Sequence, residues 1–165
     1  MNKFSHLSAS GEAHMVDVST KKDTARVAIA QSRIMLGETI LTQIENQSLA
    51  KGDLLATARI AGIQGAKKCS DLIPLCHPLP LSKVTIDINS FREGSNAGLE
   101  VRALCKTTGK TGVEMEALTA ASITALTIYD MCKALDKGIV IESVKLLEKQ
   151  GGKSGHWRAN ESGSE

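Results

Sequence analysis

Two neighbouring segments with a two-residue alternation of apolar and polar side chains constrain the fold of this chain more than any other feature. The first runs through Val84, Ile86 and Ile88, and the second covers residues 99–105. This period is typical of strands that bury one face. Because the intervening loop 92–96 contains glycine and asparagine, we expect the two strands to pair as a hairpin.

Helical segments flank this hairpin in the sequence. Asp53 is a favourable N-cap for a helix over residues 54–72, which has an apolar face. After the hairpin, Thr111 and Glu114 have the spacing of a capping box, in which the two side chains cap a helix start reciprocally. They predict a second long helix that extends to about Leu135.

The outer segments complete the order of elements. Residues 24–34 and 139–147 have strand patterns, and a short helix is expected over residues 37–45. The order is therefore strand, two helices, two strands, helix, strand. It predicts an α+β fold, a ferredoxin-like β-α-β-β-α-β sandwich with an additional helix in the first crossover.

Length and composition fit one soluble domain. The chain has 165 residues, of which 42% are hydrophobic and 23% charged. We expect a single domain over residues 1–165, with an extended or mobile N-terminal arm over 1–20 and a disordered tail over 156–165. No apolar run approaches the ~20 residues of a membrane span, and no signal peptide is recognisable, so we expect a cytoplasmic protein without a membrane partner.

The charge distribution argues against nucleic acid as a partner. A net charge of +2 produces no strong field, although basic residues cluster at 21–26, 67–68 and 145–153. Such clusters are usually solvated, but they are also suited to a small polyanion. The four cysteines have neither a CxxC pair nor a zinc-ligand spacing, so we expect free thiols and no metal site.

A histidine between two prolines is the first candidate for a functional residue. His77 lies in a segment where Pro74 and Pro78 fix the backbone on both sides. A single histidine is more often structural, but a stiff segment presents its side chains in a defined way. We therefore interpret residues 70–78 as a ligand-binding turn, and zinc is disfavoured because Cys76 and His77 are adjacent.

The long second helix carries charged residues near both of its ends. Asp130 and Lys133 are three residues apart and can form an ion pair on one face. That pair is equally well explained as a solvated surface contact or as a proton shuttle. Glu116 lies fourteen residues before Asp130, which corresponds to ~21 Å along a helix axis. If both carboxylates serve one ligand, two different chains must supply them.

A glycine-rich segment follows the last predicted strand. Residues 151–155 include Gly-Lys-Ser, but a P-loop also requires glycine at position 147 and a following helix, and position 147 is leucine. With Lys149 and Lys153, this segment is suited to closing over phosphates. Lys51 lies in a loop at a helix start and is, by its local sequence, an ordinary solvated lysine.

At several positions the chain resembles one known family, that of molybdenum cofactor biosynthesis protein C, the cyclic pyranopterin monophosphate synthases. The resemblance covers about residues 11–155 and rests on long motifs. These motifs are His14–Ser19, Lys51–Asp53, Ala58–Ile63, Leu72–Pro78, Lys110–Ala120 and Tyr129–Lys133.

The resemblance implies an assembly and a reaction. It implies a ferredoxin-like subunit in a homohexamer, a trimer of dimers, with active sites between subunits. The implied enzyme is a phosphorus–oxygen lyase that converts 3',8-cyclo-7,8-dihydro-GTP to cyclic pyranopterin monophosphate and releases pyrophosphate. No cofactor is expected to be required, and participation of Mg²⁺ is left open.

The resemblance also implies roles for individual residues. By motif, Asp130, Lys51 and Lys133 correspond to catalytic positions. The positions that correspond to substrate contacts are Leu75, Cys76, His77, Met115 and Glu116, together with Arg26 and Lys149 for the polar and triphosphate parts.

Two other classes of function are alternatives to an enzyme. Ferredoxin-like domains that bind RNA use aromatic side chains on the sheet, whereas the predicted strands carry one aromatic residue, Phe91, at a strand end. A nucleotide-sensing regulator would bind the same ligand without consuming it. Turnover of the ligand separates these alternatives.

Overall fold

The computed structural model describes residues 5–46 and 53–160. Within them the chain forms five strands and four helices. In chain order these are β1 Thr24–Met35, α1 Glu38–Glu45, α2 Leu54–Lys67, α3 Cys69–Leu72, β2 Leu81–Glu93, β3 Asn96–Gly109, α4 Glu114–Cys132, β4 Val140–Gln150 and β5 His156–Arg158. None of these helices combines the length and apolar character needed to cross a bilayer.

The strands form one antiparallel sheet in the order β2-β3-β1-β4-β5. The first four strands have the ferredoxin-like order, so the predicted α+β fold is confirmed. The hairpin is also confirmed, and Glu93 pairs with Asn96 across a two-residue turn. Gly94 takes a φ of 59° in that turn, a conformation that costs glycine little.

Small residues build the core between the sheet and the helices. Ala28 and Ala30 of β1 and Ala121 of α4 are fully buried, and Ser32 Oγ donates a 2.9 Å hydrogen bond to the Ala121 carbonyl. Between α2 and α4, a Cβ on Gly62 would lie 2.1 Å from the Thr124 hydroxyl oxygen. The two helices therefore approach as closely as a glycine allows.

The helix predicted over residues 54–72 divides into α2 and α3. Asp53 caps its start as predicted, since its Oδ1 accepts a 2.9 Å hydrogen bond from the Ala56 amide. Lys68 leaves the helical conformation, with φ −101° and ψ 11°. Its amide contacts both the Gln64 and Gly65 carbonyls, a shared bond of the kind common at helix ends.

The capping box predicted at the start of α4 is wrong. The helix begins at Glu114 after Val113, and no side chain caps it. Instead of capping, the Glu114 carboxylate accepts a 2.8 Å hydrogen bond from Lys149 Nζ, so a tertiary partner outcompetes the local one. The helix ends at Cys132, three residues before the predicted Leu135, in a region of turns.

The predicted disordered tail is wrong for residues 156–158, which form β5. This strand pairs with β4, and Glu148 receives hydrogen bonds or ion-pair contacts from His156 and Arg158. Three residues are too few to produce a recognisable alternation. The part of the arm that the structure describes, residues 5–20, is mostly exposed and contains one isolated bridge, between Leu7 and Ala13.

Candidate active site

A cleft lies between the turn after α3, the N-terminal arm and the first turn of α4. Its volume is about 310 Å³. The structure brings to this cleft five of the seven residues that were predicted to contact the substrate. They are Leu75, Cys76, His77, Met115 and Glu116.

His77 is fixed by the arm. Its Nε2 lies 2.8 Å from the backbone carbonyl oxygen of Val16. Because a carbonyl only accepts, Nε2 carries a proton and donates it in this contact. The arm therefore both closes one side of the cleft and orients the ring of the histidine.

Glu116 is a buried carboxyl group on the wall of this cleft. The residue is only 4% exposed. Burial raises its pKa above the ordinary value, the negative charge of Glu114 raises it further, and a hydrogen bond with its own backbone opposes both effects. A carboxyl group whose pKa is moved towards neutrality is suited to accept and return protons.

Thiols surround Glu116, and burial keeps them protonated. Burial raises the pKa of Cys69 to about 11, and the Thr119 hydroxyl lies 3.5 Å from the Cys69 sulfur. Burial and the charge of Glu116 also raise the pKa of Cys76. The expectation of free cysteines is confirmed, and the raised pKa values make Cys76 a neutral contact group and a poor nucleophile.

A second, larger cleft of about 670 Å³ adjoins the first. Basic side chains from β1, β4 and the loops beside them line it. They are Lys21, Lys22, Arg26, Lys110, Lys149 and Lys153. Lys21, Thr111, Gly112 and Glu114 line both clefts, so the two form one continuous surface. The first cleft has one lysine in its lining, whereas the second, the cationic end, has six basic side chains.

Arg26 is positioned by backbone groups. Its Nε donates a 2.9 Å hydrogen bond to the Gly109 carbonyl, and its Nη2 donates one of 3.2 Å to the Lys110 carbonyl. The glycine-rich loop packs directly on the guanidinium, since a Cβ on Gly152 would lie 2.2 Å from Nη1. Gly152 also has a φ of +73°, so both space and conformation require glycine here.

Asp130 and Lys133 lie at the opposite end of α4 and line neither cleft. The Lys133 ammonium contacts the Asp130 carboxylate at 2.5 Å, and the two side chains are 53% and 67% exposed. Hydrogen bonding to Asp130 raises the pKa of Lys133. Within one chain, the structure therefore does not bring this pair to Glu116, as the axial spacing of ~21 Å predicts.

Two further lysines, Lys51 and Lys110, concern the candidate site. Lys51 falls outside the described residues. Sequence reasoning grouped Lys21 with a basic cluster but missed that Lys110 joins it, with its ammonium 2.8 Å from the Ser19 carbonyl. No local signal marks that contact, because it depends on the pairing of β1 with β3.

The described residues contain no group of three or more His, Cys, Asp or Glu side chains arranged to hold a metal ion. Comparison with known families adds one finding. The sequence model of the MoaC family matches residues 15–152 of this chain. The matched stretch includes all of α4 and most of the residues that line the two clefts. The lining residues outside it are Ser5 and His6 of the first cleft and Lys153 and Ser154 of the second.

Proposed function

Because this chain belongs to the MoaC family, an enzyme family of molybdenum cofactor biosynthesis, we propose that it is a cyclic pyranopterin monophosphate synthase. As a phosphorus–oxygen lyase, it would rearrange the cyclised dihydro-GTP and release pyrophosphate. The observation that carries this proposal is the continuous surface in which the first cleft, with His77 and Glu116, joins the cation-lined second cleft. A substrate with a base at one end and a triphosphate at the other matches that division.

The cationic cleft suits the phosphates. In the last bond-forming step, a substrate hydroxyl oxygen bonds to the α-phosphorus, and the bond from that phosphorus to the bridging β-oxygen breaks. The hydroxyl proton passes to a base, and pyrophosphate leaves with the bridging oxygen. Arg26 and Lys149 lie where they would hold the charge that develops on the leaving group. Mg²⁺ would be an auxiliary counter-ion and would not be required.

The first cleft suits the base. Rearranging its rings needs repeated proton transfers. His77, whose ring is oriented by the Val16 carbonyl, and Glu116, whose pKa is raised, are the ionisable groups suited to them here. Leu75, Cys76 and Met115 would contact the ring system through uncharged surface. These residues would hold the base end while the phosphates are held by the adjoining cleft.

The remaining catalytic groups would come from another subunit. Asp130 and Lys133 are too far along α4 to reach the ligand that Glu116 contacts, so we propose that a neighbouring chain supplies them, together with Lys51, in a homohexamer built as a trimer of dimers. The exposed ion pair would then become part of a site only on assembly.

The experiment that tests this proposal is an assay of pyrophosphate release from the cyclised dihydro-GTP. We expect stoichiometric formation of the cyclic phosphate product and pyrophosphate. Tight binding without either product would instead support a nucleotide-sensing regulator. A protein that neither binds nor converts the compound would contradict both.

A further inference from the structure

One carboxylate lies in the cleft that is otherwise lined by cations. Among the described residues around this cleft, six carry a positive side chain, and Glu114 alone carries a negative one. A carboxylate disfavours the binding of an anion through like-charge repulsion. Its presence in a cleft suited to phosphates therefore requires an explanation.

The Glu114 carboxylate forms an ion pair with the ammonium group of Lys149. Glu114 Oε1 and Lys149 Nζ are 2.8 Å apart, and their side chains are only 27% and 30% exposed. Lys149 lies on β4 opposite Ala28, whose side chain is buried beneath the helices, so its side chain extends towards α4. An incoming phosphate group must compete with this contact to use Lys149.

The backbone holds the carboxylate in place. A Cβ on Gly112 would lie 1.8 Å from Glu114 Oε2 and 2.7 Å from Oε1, so the carboxylate rests against the bare Cα of this glycine. Gly112 itself lines both clefts. Glycine at this position is therefore what allows the carboxylate to lie between the clefts and reach Lys149.

We propose that Glu114 is an internal competitor for the polyanion. Glu114 forms an ion pair with Lys149 in the free protein. The ion pair breaks when a phosphate group binds to Lys149 and forms again when pyrophosphate leaves. Glu114 thereby lowers the affinity for the released product and prevents it from remaining in the cleft. This inference rests on the proposed function only in assigning phosphates to the cationic cleft.

A substitution that removes the charge but keeps the shape tests this role. Glu114→Gln should bind inorganic pyrophosphate about tenfold more tightly than the wild type in isothermal titration calorimetry, since a charge-assisted competitor of Lys149 is lost. Glu142→Gln is the matched control. This variant changes the net charge by the same amount as Glu114→Gln. Glu142 lies on β4, contacts Arg33 at 3.9 Å and is outside the cleft.

A double substitution separates this role from a general effect of charge. In a Lys149→Gln background, Glu114→Gln should change the pyrophosphate affinity less than about twofold, because the ammonium group that Glu114 occupies is missing. A tenfold gain that persists in this background would overturn the proposal, since Glu114 would then act on the whole cleft.

Gly112→Ala gives a second route if Glu114→Gln fails to fold. The added methyl group must displace the carboxylate from Lys149, so pyrophosphate should again bind more tightly. Equal affinity of the wild type and both variants would overturn the inference, as would an absence of binding in all three. The assay of pyrophosphate release on the wild type decides the proposed function separately in either case.

Discussion

The two ends of α4 carry similar charged groups in opposite environments. At the first turn, Glu114 and Glu116 are screened from solvent by the sheet, the turn after α3 and the arm, and Glu116 has a raised pKa. At the last turn, Asp130 and Lys133 form an ion pair in solvent. In the proposed assembly, this contrast would mean that the chain completes one half of a site by its own folding and leaves the other half to a neighbouring subunit.

The largest expected effect is on turnover, in a test of complementation between subunits that carry defects at opposite ends of α4. Glu116→Ala and Asp130→Asn should each lower turnover by about 10²–10⁴, the range typical of lost acid–base groups. When the two proteins are co-assembled, about a quarter of the sites in a randomly mixed symmetric oligomer should receive both intact halves. The measurement is pyrophosphate release before and after subunit exchange.

Two controls make that result interpretable. The chain that carries both substitutions should remain inactive after the same exchange procedure. Native mass spectrometry of an isotope-labelled mixture should show that subunits have exchanged. Exchange without any recovery of activity would mean that all the catalytic groups act within one chain.

Substitutions of Lys149, which contacts Glu114 at the start of α4, and of Lys133 at its end would show whether the two ends of α4 have different functions. Lys149→Ala should weaken binding of the cyclised dihydro-GTP by about 10–100-fold, because one charge-assisted contact worth roughly 1.5–3 kcal/mol is lost. Lys133→Ala should instead reduce turnover of bound substrate with a smaller change in affinity. Single-turnover kinetics at saturating substrate, with separate calorimetric binding, would distinguish them. Equal effects of both variants on binding would remove the division of tasks.

A titration of stability would test the buried end directly. The pKa of Glu116 is raised in the folded state above its value of 4.5 in the unfolded chain. The contribution of this group therefore favours the folded state most at a pH below 4.5, and it is lost as the pH rises through the folded-state pKa. Glu116→Gln should remove that loss. At pH values above the folded-state pKa, its melting temperature should exceed that of the wild type by about 2–4 °C, which corresponds to ~1 kcal/mol. Calorimetry from pH 4 to pH 8 measures it.

Asp130→Asn serves as the comparison for that titration. Its side chain is 67% exposed, so replacing it should leave the pH dependence of the melting temperature close to that of the wild type. A similar change in both variants would indicate that burial of Glu116 is not the cause.

The smallest effect is expected at the start of α4. Thr111→Ala should lower the stability by less than about 0.5 kcal/mol, because no side chain caps this helix. Asp53→Ala, at the capped start of α2, should cost about 1 kcal/mol. Denaturant unfolding of the two variants compares them. A larger loss for Thr111→Ala would restore the capping role that the structure denies.

The sequence predicted the fold wherever local periodicity was long enough. The alternation in residues 84–88 and 99–105 was sufficient for β2 and β3, although it underestimated their lengths. It could not predict β5, whose three residues are defined only by pairing with β4. The capping box failed because Glu114 has a partner 35 positions away, which no local pattern contains.

The same limit applies to the site. Cys76, His77 and Glu116 were predicted from motifs that are local in the sequence, and the structure brings them to one cleft. The meeting of Lys21, Lys110 and Lys149 was not predicted. It follows from the sheet register, in which Thr24 lies opposite Gly109 and Val27 lies opposite Gln150.

The close approach of α2 and α4 at Gly62 has a consequence for how the length of this chain can vary. With no room between the helices, α4 cannot slide or turn to absorb a change in its own length. Inserting one residue between Glu116 and Asp130 would rotate one end relative to the other by ~100° and move it by ~1.5 Å. Substitutions in this stretch of α4 can therefore be accommodated where small residues replace one another, whereas insertions and deletions would change the spacing and relative direction of Glu116 and Asp130.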